Sequence, residues 1–278
     1  MKGARKIHHI LKGQETSDGA GVKLRRYIGT RELMAHDPFL MLDAFYSDDP
    51  DSYLAGFPNH PHRGFETVTY LIQGKMEHND SRGNRGLLEP GGAQFMRAGS
   101  GIIHSEMPRQ ENGMMWGYQL WVNLPGRLKM SEPHYQDLQK GDIPRVQTGA
   151  YKAKILSGSL EGVTGGAKGF YEIDYFDIEV KDGQSAAIPV GGDKSAFVIV
   201  VAGTGEVAGE KVVRGDLPIL TSGDSIELKG GENFRVIIVA GAPIAEPVAR
   251  YGPFVMNTAE EIQQAFEDYQ AGKFSKAS

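Results

Sequence analysis

The chain carries two short runs of residue types that bind metal ions, His60-Pro61-His62 and His104-Ser105-Glu106. Within each run the candidate ligands are two residues apart. Because side chains alternate between the two faces of a β-strand, such a pair would point to one side, with Cα atoms about 6.6 Å apart. Three imidazoles and one carboxylate can hold a first-row divalent metal and leave coordination positions open. The spacing therefore predicts one metal site, with the ligands His60, His62, His104 and Glu106.

A second carboxylate competes for the fourth ligand position. Glu66 follows His62 by four residues, which is about 13 Å along an unbroken strand and too far to share an ion. A turn at Gly64 could bring it back. Glu106 needs no such turn, so Glu106 is favoured and Glu66 is kept as the alternative.

The remaining candidates concern the surroundings of the metal. All eight histidines lie at or before position 134, so imidazole ligands are confined to the first half of the chain. Of the other histidines, only His78 is considered as a pocket residue, because histidine usually has an ordinary hydrogen-bond partner. Apolar side chains near the ligands would exclude water. For this role we consider Phe57, Phe65, Met107 and Trp116.

Composition excludes several classes of function. The net charge is −5 and no dense tract of Lys and Arg is present, which argues against nucleic-acid or anionic-membrane binding through a basic surface. Cysteine is absent, which excludes disulfides and thiolate metal ligands. No apolar run approaches 18 residues and the first residues do not resemble a signal peptide. We therefore expect a soluble, cytoplasmic protein.

The elements that must position the site are predicted to be strands. The chain has 37 glycines, and short β-rich runs alternate with glycine-containing turn signals, as in all-β barrels or sandwiches. The clearest candidate strands are Glu66–Gln73, Ala93–Ala98, Tyr118–Asn123, Lys152–Ser157, Tyr171–Val180, Ala196–Ala202 and Phe234–Ala240. The last two are nearly continuous apolar runs, which is typical of strands buried on both faces.

The 278 residues suggest two barrels of similar organisation. Periodicity is lost over 125–146, and we assign 1–130 to an N-terminal barrel with the metal site, 131–146 to a linker and 147–278 to a C-terminal barrel without metal ligands. One helix, at about 259–271, closes the chain. It begins with a capping box formed by Thr258 and Glu261, and its predicted buried face consists of Ile262, Ala265, Phe266 and Tyr269.

The residues around both histidine runs resemble the pirin family of bicupins. The likeness rests on His60-Pro61-His62-Arg63-Gly64-Phe65-Glu66-Thr67-Val68 and on Gly99-x-Gly101-Ile102-Ile103-His104-x-Glu106-Met107. It extends to 119–125 and 251–258, and it covers nearly the whole chain. Gly99 replaces a proline of the general cupin pattern and Pro108 replaces an asparagine, which are departures that pirins share.

The resemblance implies an all-β fold of two cupin-type β-barrels with a short C-terminal helix, and one metal ion, usually iron, in the N-terminal barrel. In pirins the ligands correspond to His60, His62, His104 and Glu106. The implied cofactor is Fe(II), although such a ligand set also accepts Mn, Ni, Cu, Co or Zn.

The implied activity is that of a quercetin 2,3-dioxygenase. Such an enzyme opens the central ring of a flavonol with O2, and Glu106 would serve as general base. A metal-dependent binding or transcriptional co-regulatory protein without physiological catalysis is the alternative. A flavonol and O2 are the expected partners, neither nucleic acid nor a membrane is expected, and a protein partner is left open.

Overall fold

The protein is described by a computed structural model over residues 3–109 and 113–274. Residues 1–2, 110–112 and 275–278, which fall within the predicted domain ranges, lie outside the described residues. Strands dominate and form two cupin domains, and one short helix stands near the C-terminus, which confirms the predicted fold class.

The first half of the chain contributes every strand of two sheets that enclose the predicted metal site. A seven-stranded sheet has the order β12-β9-β6-β11-β4-β3-β2, and a four-stranded sheet has the order β5-β10-β7-β8. The elements of this half are β1 (Ile7–Leu11), β2 (Gln14–Asp18), β3 (Val22–Ile28), β4 (Phe39–Ser47), β5 (Phe57–His62), β6 (Phe65–Gln73), β7 (Met76–Asp80), β8 (Arg85–Leu88), β9 (Ala93–Arg97), β10 (Ile102–Pro108), β11 (Met115–Asn123), α1 (Gly126–Lys129) and β12 (His134–Leu138), with a 3-10 turn at Pro50–Ser52.

The second half repeats this arrangement. Its seven-stranded sheet has the order β1-β22-β19-β24-β17-β14-β13 and its four-stranded sheet the order β18-β23-β20-β21. The elements are β13 (Arg145–Gln147), β14 (Tyr151–Ser157), β15 (Ser159–Leu160), β16 (Val163–Thr164), β17 (Ile173–Val180), β18 (Ser185–Pro189), β19 (Ser195–Ala202), β20 (Thr204–Val207), β21 (Glu210–Val213), β22 (Leu217–Leu220), β23 (Ser225–Gly230), β24 (Arg235–Gly241), β25 (Ala249–Tyr251), β26 (Phe254–Met256) and α2 (Ala259–Gln270). All seven candidate strands overlap observed ones.

Two strands pair with a strand outside the range to which the sequence pattern assigned them. β1 lies within 1–130 but is antiparallel to β22 of the second half. β12 lies within 131–146 but pairs with β9 of the first half. The limits 1–130, 131–146 and 147–278 stay a prediction, and strand pairing crosses them at these two places. An alternating pattern indicates a strand but does not specify its partner.

The two seven-stranded sheets pack face to face, and this explains the continuous apolar runs. Because side chains alternate along a strand, one set of β19 side chains fills its own barrel and the other set faces the first half. The inward set is Ala196, Val198 and Val200, and the set facing the first half is Phe197, Ile199 and Val201. On β6, Val68 and Tyr70 join this core between the barrels.

The C-terminal segment returns to the first barrel. β26 forms a bridge from Phe254 to Arg63, and α2 packs Ile262 and Ala265 against Phe254 and Phe274. The predicted capping box is present, with Thr258 accepting from the Glu261 backbone N–H and the Glu261 side chain accepting from that of Thr258. Phe266 packs against this cluster, whereas Tyr269 is exposed and its ring reaches only the edge of the cluster, at Phe254 and Phe274. Among the described residues, no helix is long and apolar enough to cross a bilayer.

A charged cluster is buried between the barrels at Asp177. Its carboxylate accepts two bonds from Arg235 at 2.7 Å and one from Lys154 at 2.9 Å, and the hydroxyl of Tyr70 donates to it from the first barrel. Burial alone would raise the pKa of Asp177, but the Arg235 guanidinium, with Lys154 and Tyr70, outweighs burial and lowers the pKa to about 2. The cluster therefore stabilises the contact between the halves only while Asp177 is ionised.

The first prediction concerns acid stability. The pKa of Asp177 in the folded protein lies below its ordinary value of 3.8. Its contribution to the free energy of unfolding is therefore complete at neutral pH and is lost as the pH falls towards the folded pKa. At pH 3 the loss from this group should be about 1 kcal/mol relative to pH 5. Urea unfolding between pH 5 and 3 should show a shallower pH dependence for Asp177→Asn than for the unmodified chain. Equal slopes for the two proteins would contradict the assignment.

Candidate metal centre

Three predicted ligands converge because β5 and β10 are neighbours. The two strands pair antiparallel, with His60 opposite His104 and Ile102 opposite His62. The ring centroids of His60 and His104 are 4.3 Å apart, and those of His62 and His104 are 5.0 Å apart. One nitrogen of each of the three rings lies within 4.8 Å of the others. His60 and His62, spaced i, i+2, thus project from one face of β5 as the strand geometry requires, and β10 contributes His104.

Contacts on the outer nitrogens orient the rings. Nδ1 of His60 lies 2.7 Å from the carbonyl of Pro58, and Nδ1 of His62 lies 3.4 Å from the carbonyl of Pro253. Since a carbonyl only accepts, each Nδ1 carries the proton and donates it, which leaves Nε2 with its lone pair. Among the described residues, the buried Nε2 of His104 has no hydrogen-bond partner. An unpartnered buried nitrogen beside two oriented imidazoles fits a divalent cation.

Electrostatics keep the buried rings in their metal-binding form. Burial, followed by the nearby ring of His60, lowers the pKa of both His62 and His104 well below the ordinary value. Both rings are therefore neutral at pH 7, which is the protonation state that coordinates metals.

Glu106 lies beside this group and is held by hydrogen bonds. Its side chain is buried, with 2% of the residue exposed. Oε1 accepts from the Thr69 hydroxyl at 2.8 Å, and Oε2 accepts from the amide of Gln119 at 2.7 Å. The pairing of β10 with β5 shifts register between His104 and Glu106. Glu106 is not among the residues whose ligand atoms lie within 4.8 Å of one another, which are His60, His62 and His104. Its place as a fourth ligand stays a prediction.

Glu66, the alternative ligand, is not among the residues that the fold brings together. Side chains alternate along β6, so Thr67 and Thr69 face the inside of the first barrel while Glu66 and Val68 face the second. Glu66 accepts from Arg97 at 2.7 Å and from the backbone N–H of Tyr171 at 2.9 Å. The turn at Gly64 is present, with a φ of +89°, but it directs Glu66 to the opposite face of the sheet.

His78 lies behind the candidate ligands and outside the cavity lining. It is fully buried, its Nδ1 is 3.4 Å from Nδ1 of His104, and its Nε2 is 3.2 Å from a carboxylate oxygen of Asp80. The ring stacks on Tyr135 with a centroid distance of 4.5 Å. His78 therefore contacts the back of a candidate ligand.

A cavity of about 630 Å³ opens over His60 and His62. Its walls are largely apolar, with one polar edge at the bidentate ion pair of Arg26 and Asp43. The apolar and aromatic lining includes Leu24, Met41, Phe45, Phe57 and Trp121, and Gln119, Arg250 and Pro253 complete the wall. Another cavity, of about 700 Å³, lies in the second half near Phe170, Asp174 and Lys194, and its lining contains no histidine.

The predicted apolar pocket residues have different positions. Phe57 lines the cavity. Phe65 lies behind the cavity wall, where its ring packs against the rings of His62 and Trp121. Met107 lies against Gly56 and Trp116 packs on Tyr46 and Arg214, so neither lines this cavity.

Several lining residues were not foreseen from the sequence. Gln119 and Trp121 are spaced i, i+2 on one strand, a signal that could have identified them. Arg250 and Pro253 come from a segment far along the chain, and nothing in the local pattern links them to the histidines.

Comparison with known proteins gives consistent matches. The family model described as Pirin matches residues 21–122, and that described as Pirin C-terminal cupin domain matches residues 175–275. A "Pirin-like protein" of Caulobacter vibrioides is 49% identical over 97% of this chain and 99% of its own. A Pseudomonas aeruginosa protein named "Putative quercetin 2,3-dioxygenase" is 43% identical over 96% of this chain and 97% of its own. A crystal structure titled quercetin 2,3-dioxygenase from Acinetobacter baumannii superimposes with a TM-score of 0.89 at 31% identity, covering 98% of both chains.

Proposed function

The chain belongs to the pirin family, and on this basis we propose that it is a metal-dependent dioxygenase that opens the central ring of flavonols such as quercetin. One observation carries the proposal: three imidazoles meet beneath a cavity of about 630 Å³, and Nε2 of one of them, His104, has no hydrogen-bond partner in the described part of the chain. Two relatives that align with this chain over nearly their whole length support the choice of reaction: one is named "Putative quercetin 2,3-dioxygenase", and the other is a structure titled quercetin 2,3-dioxygenase.

The metal would be held by His60, His62, His104 and Glu106, and we propose Fe(II) as the resident ion. A bound divalent cation would supply Lewis acidity that lowers the pKa of the flavonol 3-hydroxyl, and open positions for substrate and O2. Neutral His62 and His104 suit this role.

The cavity suits a flat aromatic substrate. Trp121 and Phe57 line it with aromatic rings, and the guanidinium of Arg250 lies 4.9 Å from the centre of the Trp121 ring on the cavity wall. Cation–π contact keeps the Trp121 ring in a fixed orientation. The polar edge at Arg26 and Asp43 can bond to phenolic hydroxyls, and the apolar walls exclude water from the reacting ring.

Glu106 would accept the proton of the 3-hydroxyl. Its carboxylate is held between the Thr69 hydroxyl and the Gln119 amide. The orientation of that amide is itself fixed, because the indole N–H of Trp121 donates to Oε1 of Gln119 at 3.3 Å and leaves the amide N–H groups to face Glu106. A positioned base accelerates proton transfer by about 10²- to 10⁴-fold. Ring opening would then consume one O2 and release carbon monoxide.

The decisive assay mixes iron-loaded protein with quercetin in air and follows both the visible absorbance of quercetin and the release of carbon monoxide. We expect bleaching with one carbon monoxide per quercetin. Full iron occupancy without bleaching would reject the dioxygenase proposal and would favour the alternative of a metal-dependent binding or regulatory protein.

The second prediction separates the two carboxylates. Glu106→Gln should lower kcat for quercetin by about 10²- to 10⁴-fold, because an amide cannot accept the hydroxyl proton. Glu66→Gln is the matched control, since this carboxylate is also buried but faces Arg97 and the second barrel, and it should leave kcat and metal content near those of the unmodified protein. The assignment of the base is wrong if the two variants show the same kcat.

A further inference from the structure

Two buried residues behind His104 form a hydrogen-bonded series that the proposed chemistry does not use. His104 lies on β10 opposite Asp80 of β7, and Glu106 lies opposite His78. The side chains of His78 and Asp80 are both fully buried. Nδ1 of His104 lies 3.4 Å from Nδ1 of His78, and Nε2 of His78 lies 3.2 Å from Oδ2 of Asp80.

The direction of these bonds follows from the acceptor at the end. A carboxylate accepts, so the proton of a neutral His78 ring lies on Nε2 and its Nδ1 is a bare acceptor. His104 must then carry its own proton on Nδ1 and donate it to His78. The consequence is that Nε2 of His104, the atom without a partner among the described residues, presents a lone pair to the space shared with His60 and His62.

The two residues are themselves held in place. Oδ1 of Asp80 accepts from the backbone N–H groups of Arg82 and Asn84, both at 2.9 Å, and Oδ2 also accepts from the side-chain amide of Asn84 at 2.8 Å. The His78 ring is stacked on Tyr135 at an interplanar angle of 25°. A side chain with this many constraints has one orientation, so the protonation pattern that it imposes on His104 is fixed before a metal binds.

We propose that His78 and Asp80 are positioning residues that hold His104 in the tautomer with a free Nε2 and so strengthen metal binding at the first barrel. The inference rests on the metal site of the proposed function, but it does not depend on which reaction the protein catalyses. Neither His78 nor Asp80 belongs to the group of three converging histidines, and neither lines the cavity above them.

The key experiment measures the affinity of the purified full-length protein for Zn²⁺ by competition with a chromophoric chelator. Asp80→Asn should weaken Zn²⁺ binding by about 10- to 100-fold, because an amide N–H facing Nε2 of His78 would move the ring proton to Nδ1 and reverse the bond to His104. His78→Phe should weaken binding by a similar factor, since it keeps the stacked ring but removes the acceptor.

Two further variants provide controls. His78→Asn places an amide oxygen near the position of Nδ1 and should restore most of the affinity that His78→Phe loses. Asn79→Ala removes a bond to Glu77 on the face of β7 opposite to His78 and should bind Zn²⁺ like the unmodified protein. The Co²⁺-loaded proteins give a second readout: the visible absorption bands should shift in Asp80→Asn and stay unchanged in Asn79→Ala.

Each outcome has a distinct meaning. If the unmodified protein fails to bind Zn²⁺, the metal site of the proposed function is wrong and this inference falls with it. If it binds, but Asp80→Asn and His78→Phe bind within about threefold of it, the positioning role alone is wrong. Melting of the metal-free variants identifies any that fail to fold. If Asp80→Asn is one of them, the comparison of His78→Phe with His78→Asn decides.

Discussion

Replacing His60 with alanine is expected to remove bound metal and flavonol turnover together. His60 is half-buried at the cavity wall, and its ring lies 4.3 Å from that of His104 and 4.7 Å from that of His62. Its loss leaves two imidazoles. Changing a residue that only orients a ligand lowers metal affinity by up to about 100-fold, so the loss of a ligand itself should lower it by more than that. Because His60 is not part of the apolar core, the fold should persist.

The measurement is elemental analysis of the dialysed protein, combined with the quercetin assay. His134→Ala is the matched control, because its ring contacts Phe170 and the Lys168 carbonyl, away from the cavity, and it should retain metal and turnover. A His60→Ala protein that lacks metal yet still opens flavonol rings would show that the proposed mechanism is incorrect. Retention of full metal content would show instead that His60 is not a ligand.

Replacing Gly64 with alanine should strongly destabilise the fold. Gly64 has a φ of +89°, and an added Cβ would lie 2.0 Å from the carbonyl oxygen of Val255 and 2.9 Å from the sulfur of Met256. Left-handed backbone costs about 1–2 kcal/mol for a residue with a Cβ, and displacing packed neighbours costs about 1–3 kcal/mol more. The free energy of unfolding should therefore fall by about 2–5 kcal/mol. Metal affinity should fall too, since the turn directly follows His62.

Gly83 offers a close control for this substitution. It has the same φ of +89°, but an added Cβ would meet nothing within 4 Å. Gly83→Ala should therefore show only the backbone cost of about 1–2 kcal/mol. Urea unfolding of the metal-free proteins, followed by tryptophan fluorescence, compares the two. Equal losses would mean that the contact between Gly64 and the C-terminal segment contributes nothing.

The histidine group was predictable because its geometry is local. Two residues spaced i, i+2 share a face on any strand. Once this segment is assigned to a strand, the prediction that His60 and His62 point to the same side follows. The same rule explains the position of Glu66, which alternates with the inward-facing Thr67 and Thr69. The sequence did not reveal which face of β6 points inward, because both faces are buried in this two-layer arrangement.

Longer-range features could not be derived in this way. Both faces of β11 are largely buried, so apolar character alone does not distinguish Trp116, which packs on Arg214, from Trp121, which lines the cavity. The pairing of β1 with β22 of the second half, and of β12 with β9 of the first half, depends on hydrogen bonding along a sheet edge. Every strand offers the same backbone groups for that purpose. Pairing partners are therefore fixed by the whole fold rather than by any one segment.

The contact between His62 and Pro253 has a consequence for biosynthesis. The carbonyl that orients this imidazole is supplied 191 positions later in the chain, by the segment that also covers the turn at Gly64. A ribosome has therefore made most of the second barrel before the first barrel can complete its ligand geometry. The proposed metal site would therefore reach full affinity late in the maturation of this protein, and a nascent chain that has exposed only the histidine runs would hold an ion less firmly than the finished molecule.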